Sequence, residues 1–153
     1  MGGVSSGEMT VGPVAGRLAL RMRGEVSLAN NGGFIQMSLD LATDGGAVDA
    51  SVWGGIELAI CGNGETYGLH LRTLDVARPW QSYRHGFKAE RHWQTVRLPF
   101  DRFTPHRTDV PLDVHRLRRL GLAVAGAAAF VGLFLIRGRN NDLPSHVRTV
   151  PVW

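Results

Sequence analysis

The sequence predicts an all-β sandwich, and three observations carry that prediction. Apolar and polar residues alternate with a period of two in segment after segment, Gly-, Asn- and Pro-rich clusters separate those segments, and a 3.6-residue apolar period is sustained nowhere. With 153 residues, 44% hydrophobic and 20% charged, the chain has the material for one domain with its own core. Its 20 glycines and 7 prolines would weaken a helical protein but suit many tight turns.

Taken in chain order, residues 18–22 and 25–28 read as short strands. Residues 34–41 place Ile35, Met37, Leu39 and Leu41 on one face and Gln36, Ser38 and Asp40 on the other, the pattern of a half-buried strand. Residues 56–61 turn Ile56, Leu58 and Ile60 inward. Residues 67–73 turn Tyr67, Leu69 and Leu71 inward, with His70 and Arg72 outward. Between these two strands Gly62-Asn63-Gly64-Glu65 reads as a hairpin loop, because Gly and Asn tolerate the positive φ of tight turns. Residues 94–98 add a strand with Val96 and Leu98 inward, and residues 113–119 form the one helical turn, with Asp113 as its cap. Turn signals stand at Asn30-Asn31-Gly32-Gly33, at Asp44-Gly45-Gly46, at Gly54-Gly55 and over residues 105–111.

Residues 120–136 carry no charged side chain, so they must be weighed as a membrane span. Seventeen residues with Gly121, Gly126 and Gly132 among them fall short of the ~20 apolar residues that a spanning helix needs. Two buried strands, 120–125 and 130–136, joined by a turn at 126–129, account for the run better. Residues 1–137 form the sandwich domain in this reading, and residues 138–153 a polar tail with no strand pattern.

The formal charge is +4 and Lys88 is the only lysine, but the arginines are spread from Arg17 to Arg148, so no nucleic-acid partner is expected. The densest basic cluster, His115 to Arg119, reads as a solvated turn. Cys61 is the only cysteine, which excludes an intrachain disulfide framework. With no secretory signal at the start of the chain, a cytoplasmic, bacterial location is expected. Met1-Gly2-Gly3-Val4-Ser5-Ser6-Gly7 reads as the middle of a loop or of a strand, as though residues upstream were missing.

Several segments, in order, carry a family likeness: Met1-Gly2-Gly3-Val4-Ser5-Ser6-Gly7, Val26-Ser27-Leu28-Ala29-Asn30-Asn31-Gly32-Gly33-Phe34, Gly55-Ile56-Glu57-Leu58 and Trp93-Gln94-Thr95-Val96-Arg97-Leu98-Pro99-Phe100. Arg116-Leu117-Arg118-Arg119-Leu120-Gly121-Leu122 adds a late segment. Together they resemble the complex I intermediate-associated protein 30 family from Met1 to about Ile136. The resemblance implies a galactose-binding-domain-like jelly roll and, from the eukaryotic members, a non-catalytic assembly factor that attaches to intermediates of respiratory complex I. Three features depart from the family pattern. An aromatic and acidic stretch before the Met-Gly-Gly segment is lacking, which leaves a sheet edge open to pairing with a second copy. Residues 130–136 are apolar on both faces where the family alternates charges, so this last strand is a further candidate place for a partner. Beyond Arg137 the pattern ends.

No chemistry of catalysis stands out. The six histidines lack metal-ligand spacing, and Cys61 supplies no zinc pattern, so neither a metal nor another cofactor is expected. Ser82, His85 and Asp75 make a triad in name only, without a nucleophile elbow. The candidate contact surface is His70 and Arg72 on one strand with Trp80, Gln81 and Tyr83 in the segment that follows, beside the loop residues Asn30 and Asn31. Such residues stack on sugar rings and hydrogen-bond hydroxyls, and they equally dominate protein interfaces; the plainer alternative is that Trp80 and Tyr83 fill the sandwich edge. The sequence thus points to a binding module for a protein partner, with a carbohydrate-binding module as the alternative.

Overall fold

The computed structural model describes residues 6–26, 34–125, 128–136 and 149–150, with side chains described for residues 10–24, 36 and 38–124. Eleven strands make up the described part: β1 (Ser6–Val14), β2 (Arg17–Val26), β3 (Phe34–Asp40), β4 (Gly55–Cys61), β5 (Thr66–Thr73), β6 (Ser82–Lys88), β7 (Gln94–Pro99), β8 (Thr104–His106), β9 (Leu117–Ala125), β10 (Ala128–Ile136) and β11 (Thr149–Val150). They form two antiparallel sheets of a jelly-roll sandwich. The five-stranded sheet has the order β1-β2-β10-β4-β7 and the six-stranded sheet the order β11-β3-β9-β5-β6-β8.

Alternation places the core where the sequence predicts it. Leu20 and Met22 of β2, Leu58 and Ile60 of β4 and Leu98 of β7 bury their side chains against Tyr67, Leu69 and Leu71 of β5, Tyr83 and Phe87 of β6, and Leu120, Leu122 and Val124 of β9. Apolar residues on the inner faces of both sheets thereby leave water together, the main favourable term in holding a sandwich closed. A smaller apolar group covers the other face of the five-stranded sheet: Ala19 and Cys61 are buried there with Trp93, whose indole N–H donates to the Val14 carbonyl at 3.1 Å.

Several expectations needed correction. The two short N-terminal strands are one continuous β2, and β2 pairs along its length with β1, a strand absent from the sequence reading. Their hairpin turns on Ala15 and Gly16, at φ 45° and 79°, the left-handed pair that matches strand twist in two-residue turns. The loop 62–65 is no hairpin, because β4 and β5 belong to different sheets. It crosses the edge of the sandwich so that Leu58 and Ile60 on one side and Tyr67 and Leu69 on the other face the same core. Residues 89 and 90 hold that crossing, with Gly62 N–H donating to the Glu90 carbonyl at 2.6 Å and Gly64 N–H to the Ala89 carbonyl at 2.7 Å. Gly62 is required there, since a Cβ would run into Ala89.

The apolar run 120–136 divides into β9 and β10, which lie in opposite sheets; Gly126 and Ala127 are outside the described residues. No helix among the described residues is long and apolar enough to cross a membrane. β10 pairs with β2 over Ala128–Phe134 and with β4 over Leu133–Ile136, which makes it an inner strand of its sheet. In the segment read as a polar tail, Thr149–Val150 pairs with β3 as the outer strand of the six-stranded sheet. The helical turn shrinks to a single 3-10 turn, Val114–Arg116, capped as expected by Asp113, whose carboxylate accepts the His115 N–H.

Two substitutions test this packing by urea unfolding. Leu58 has no exposed surface, so Leu58→Ala is expected to lower stability by about 2–5 kcal/mol. Tyr83 is equally buried, and its hydroxyl donates to the Val110 carbonyl at 2.7 Å and lies 3.2 Å from that of Pro111, so Tyr83→Phe is expected to cost about 1 kcal/mol.

Candidate functional site

The outer face of the six-stranded sheet carries a recess built by the same alternation that builds the core. Where β9 turns Leu120, Leu122 and Val124 inward, it must turn Arg119, Gly121 and Ala123 outward. Register aligns these with their neighbours in rows. Ser38 of β3, Gly121, His70 of β5 and Arg84 of β6 form one row; Asp40, Arg119 and Arg72 form the next. Ser82 of β6 and Pro79 of the preceding loop complete the wall, and Gln36 closes the far side. The hollow is shallow, about 30 Å³, enough for one small polar group.

Glycine makes the hollow possible. A Cβ on Gly121 would lie 3.0 Å from the Gln36 side-chain nitrogen and 3.6 Å from the His70 Cβ, so a larger residue there would fill the space between them. The next row along, Ala123, Gly68 and Gly86, is also small, and the His70 ring leans over Gly68.

The lining is cationic. It includes Arg72, Arg84 and Arg119 with His70, and no carboxylate. Asp40 lies beside it and is engaged by Arg119 at 2.6 Å, both side chains being largely covered. Arg84 Nε donates to the Ser82 hydroxyl at 3.0 Å, leaving its two terminal nitrogens without a protein partner among the described residues. Arg72 reaches out of the recess, its Nη2 3.1 Å from the Arg78 carbonyl and 3.4 Å from that of Val76, while its buried Nε has no partner. Burial together with Arg119 and Arg118 draws the Arg72 pKa down, and burial with Arg107 does the same at Arg84. His70 falls from 6.5 to about 4, through burial first and then the positive field of Arg84 and His106, so it is a neutral imidazole at neutral pH.

The sequence-derived candidates separate here. His70 and Arg72, both on the outer face of β5, line the recess. Tyr83 does not join them: it points to the opposite face of β6 and is fully buried, because residues 82–88 form a strand with Tyr83 and Phe87 inward. Gln81 holds the loop. Its amide oxygen accepts the Arg78 N–H at 3.1 Å, and its amide nitrogen donates to the Arg107 carbonyl at 3.2 Å. Trp80 stays 49% exposed on that loop, with the Arg78 guanidinium 5.4 Å from its ring centre. Asn30 and Asn31 lie outside the described residues.

Ser82, His85 and Asp75 form no triad. Ser82 and His85 face opposite sides of β6, His85 packs its ring edge-on to Phe103, and Asp75 pairs with Arg116 at 2.9 Å. Among the described residues no group of three or more His, Cys, Asp or Glu side chains converges as a metal site would require.

Gln36, Ser38, Arg119 and Gly121 are missed by sequence reasoning, and Ser82 and Arg84 lie within the candidate segment 78–85 without being singled out. Their signal was present. Ser82-Tyr83-Arg84-His85-Gly86-Phe87 alternates, and so does Arg119-Leu120-Gly121-Leu122-Ala123-Val124, once Gly and Ala are counted as outward residues.

Acid should expose the depressed histidine. The unfolded chain takes up a proton near pH 6.5 that the folded chain refuses until about pH 4, so this contribution to stability is complete above 6.5 and is lost as the pH falls towards 4. Melting curves between pH 4 and 7.5 should show a smaller acid loss in His70→Gln than in the parent chain; equal losses would mean that His70 is not desolvated.

Among solved structures, the fold is similar to that of the family 11 carbohydrate-binding module from Clostridium thermocellum, seen in complex with a β-1,3-1,4-mixed-linked tetrasaccharide. The TM-score is 0.68 at 13% identity, covering 87% of this chain and 81% of that one. It is also similar to the family 30 carbohydrate-binding module of a cellulosomal cellulase of the same organism, with a TM-score of 0.64, 18% identity and coverage of 87% and 83%. At such identities the likeness is one of fold. No relative was found among curated proteins. The model of one family matches residues 1–136, nearly the whole described sandwich, and the chain therefore belongs to the complex I intermediate-associated protein 30 family.

Proposed function

We propose that the chain is a non-catalytic binding module that contacts a partner protein through the outer face of its six-stranded sheet. The observation that carries this reading is the recess itself. It gathers polar and cationic groups from four strands around a glycine floor, and two of those groups, the Arg84 terminus and the Arg72 Nε, have hydrogen-bonding capacity unmet by the described residues. An arginine-lined depression beside an exposed tryptophan has the composition of an interface hot spot. The description of the family, complex I intermediate-associated protein 30, supports a subunit of such an intermediate as the partner.

A second reading draws on Trp80. Its exposed ring offers a stacking surface, and Gln36, Ser38 and Arg84 offer groups able to hydrogen-bond hydroxyls, so the face would take a sugar chain much as its structural neighbours are named for doing. The recess itself has no Trp, Tyr or Phe in its lining, which favours the protein reading.

Affinity purification from the source cells, with cross-linking and mass spectrometry, separates the two. Trp80→Ala and Arg84→Gln should each reduce recovery of a complex I subunit by several-fold, with cross-links concentrated around the loop 74–81 and β6. Recovery unchanged by either substitution, or cross-links confined to the five-stranded sheet, would overturn the proposal. Saturable binding of a mixed-linked β-glucan tetrasaccharide that Trp80→Ala abolishes would establish the second reading in its place.

A further inference from the structure

We infer that the recess between β3, β9, β5 and β6 is a carboxylate site, and that its occupant is an Asp or Glu side chain on an acidic segment of the partner protein. This inference rests on the reading of that face as a protein-binding surface, and it names the chemistry recognised there.

Charge complementarity is the first argument. Three arginines line one shallow hollow, the only carboxylate beside them is already engaged by Arg119, and no anion within the protein reaches Arg72 or Arg84 among the described residues. Burial first, and then the neighbouring charges of Arg119 and Arg118 at Arg72 and of Arg107 at Arg84, draws both pKa values down, so each guanidinium is partly desolvated without an anion to compensate it. Folding tolerates the arrangement without rewarding it, and a bound anion would relieve it.

Geometry is the second. A guanidinium presents parallel N–H donors that match the two oxygens of a carboxylate, and the Arg84 terminus has both nitrogens available. Ser38 and Gln36 stand across the glycine floor as neutral hydrogen-bonding groups, with the Gln36 nitrogen 3.3 Å from the Ser38 hydroxyl. His70, uncharged at neutral pH, adds a hydrogen-bonding group without adding repulsion.

Size is the third. A volume of about 30 Å³ suits the end of one acidic side chain, with the rest of the segment lying along the surface. Trp80 and Pro79 on one rim and the small row of Ala123, Gly68 and Gly86 along the sheet leave that path open.

The test is a titration of the full chain with a hexaglutamate peptide, followed by the backbone amide resonances of β5 and β6. Hexaglutamine, inorganic phosphate and trigalacturonate serve as comparison probes. Hexaglutamate should bind with shifts centred on His70, Arg72 and Arg84, and its affinity should fall severalfold between 50 and 200 mM salt, probe concentrations chosen to vary screening at roughly a Debye length. Arg84→Gln should weaken it about tenfold and Arg84→Lys less, since the charge remains but the paired donors do not. Arg97→Gln, on the five-stranded sheet and paired with Glu57, should leave it unchanged.

Equal binding of hexaglutamine, an equal loss in Arg97→Gln, or affinity indifferent to salt would overturn the inference. So would binding of phosphate or trigalacturonate with hexaglutamate silent, which would assign the recess to another anion. The salt dependence of the parent chain keeps the inference testable even if a variant folds poorly. Failure here with partner cross-links still on this face would leave the proposed function standing, whereas cross-links elsewhere would remove that function whatever hexaglutamate does.

Discussion

The structure depends on the register of β9 between β3 and β5. Leu122 lies opposite Met37 on one side and Leu69 on the other, and Gly121 lies opposite Ser38 and His70. A slip of one residue would carry Leu120, Leu122 and Val124 out to water and bring Arg119 into the core, at a cost comparable with the whole stability of an ordinary domain. Core burial therefore sets the register, and the register composes the outer face. The recess is the reverse side of the hydrophobic core, strand by strand.

That coupling explains how three arginines are held together without acidic partners for each. Their backbones are fixed by pairing in the middle of a sheet whose inner face is anchored by Tyr67, Leu69, Leu71 and Tyr83, so mutual repulsion cannot spread them apart. The loop 74–81 is tied down from both ends. Val76 is buried in the core, Arg72 holds the Val76 and Arg78 carbonyls, and Gln81 bridges Arg78 to Arg107. Trp80 is thus presented on a braced loop rather than a free one, which lowers the ordering cost of any contact it makes.

Much of the core was legible from the chain alone. Leu39, Leu58, Ile60, Tyr67, Leu69, Leu71 and Leu98 were all assigned inward by alternation and are buried. β1, β6 and β8 were missed for identifiable reasons. Gly7, Gly12 and Pro13 in β1 imitate turn signals, Pro105 does the same in β8, and in β6 the aromatic and cationic side chains on both faces obscure the period of two. Tyr83 and Phe87 share the parity of an inward face, which decides for Tyr83 the plainer alternative of a buried ring. At the site, His70 and Arg72 were readable because their own strand alternates cleanly, while Gln36, Ser38, Arg84, Arg119 and Gly121 were scattered over three other strands.

By itself the sequence determined the class of fold, the identity of most inward residues and the family, because each of these rests on local period, composition or the order of short motifs. Tertiary structure decided which strands are neighbours, and with that everything about the site. Ser38, Gly121, His70 and Arg84 are far apart in the chain and become one row only through antiparallel pairing across four strands. It also decided that the loop 62–65 crosses between sheets and that the apolar β10 is an inner strand. The physical reason is that side-chain alternation is a property of one strand, whereas the choice of partner strand is made by the two sheets burying a common core.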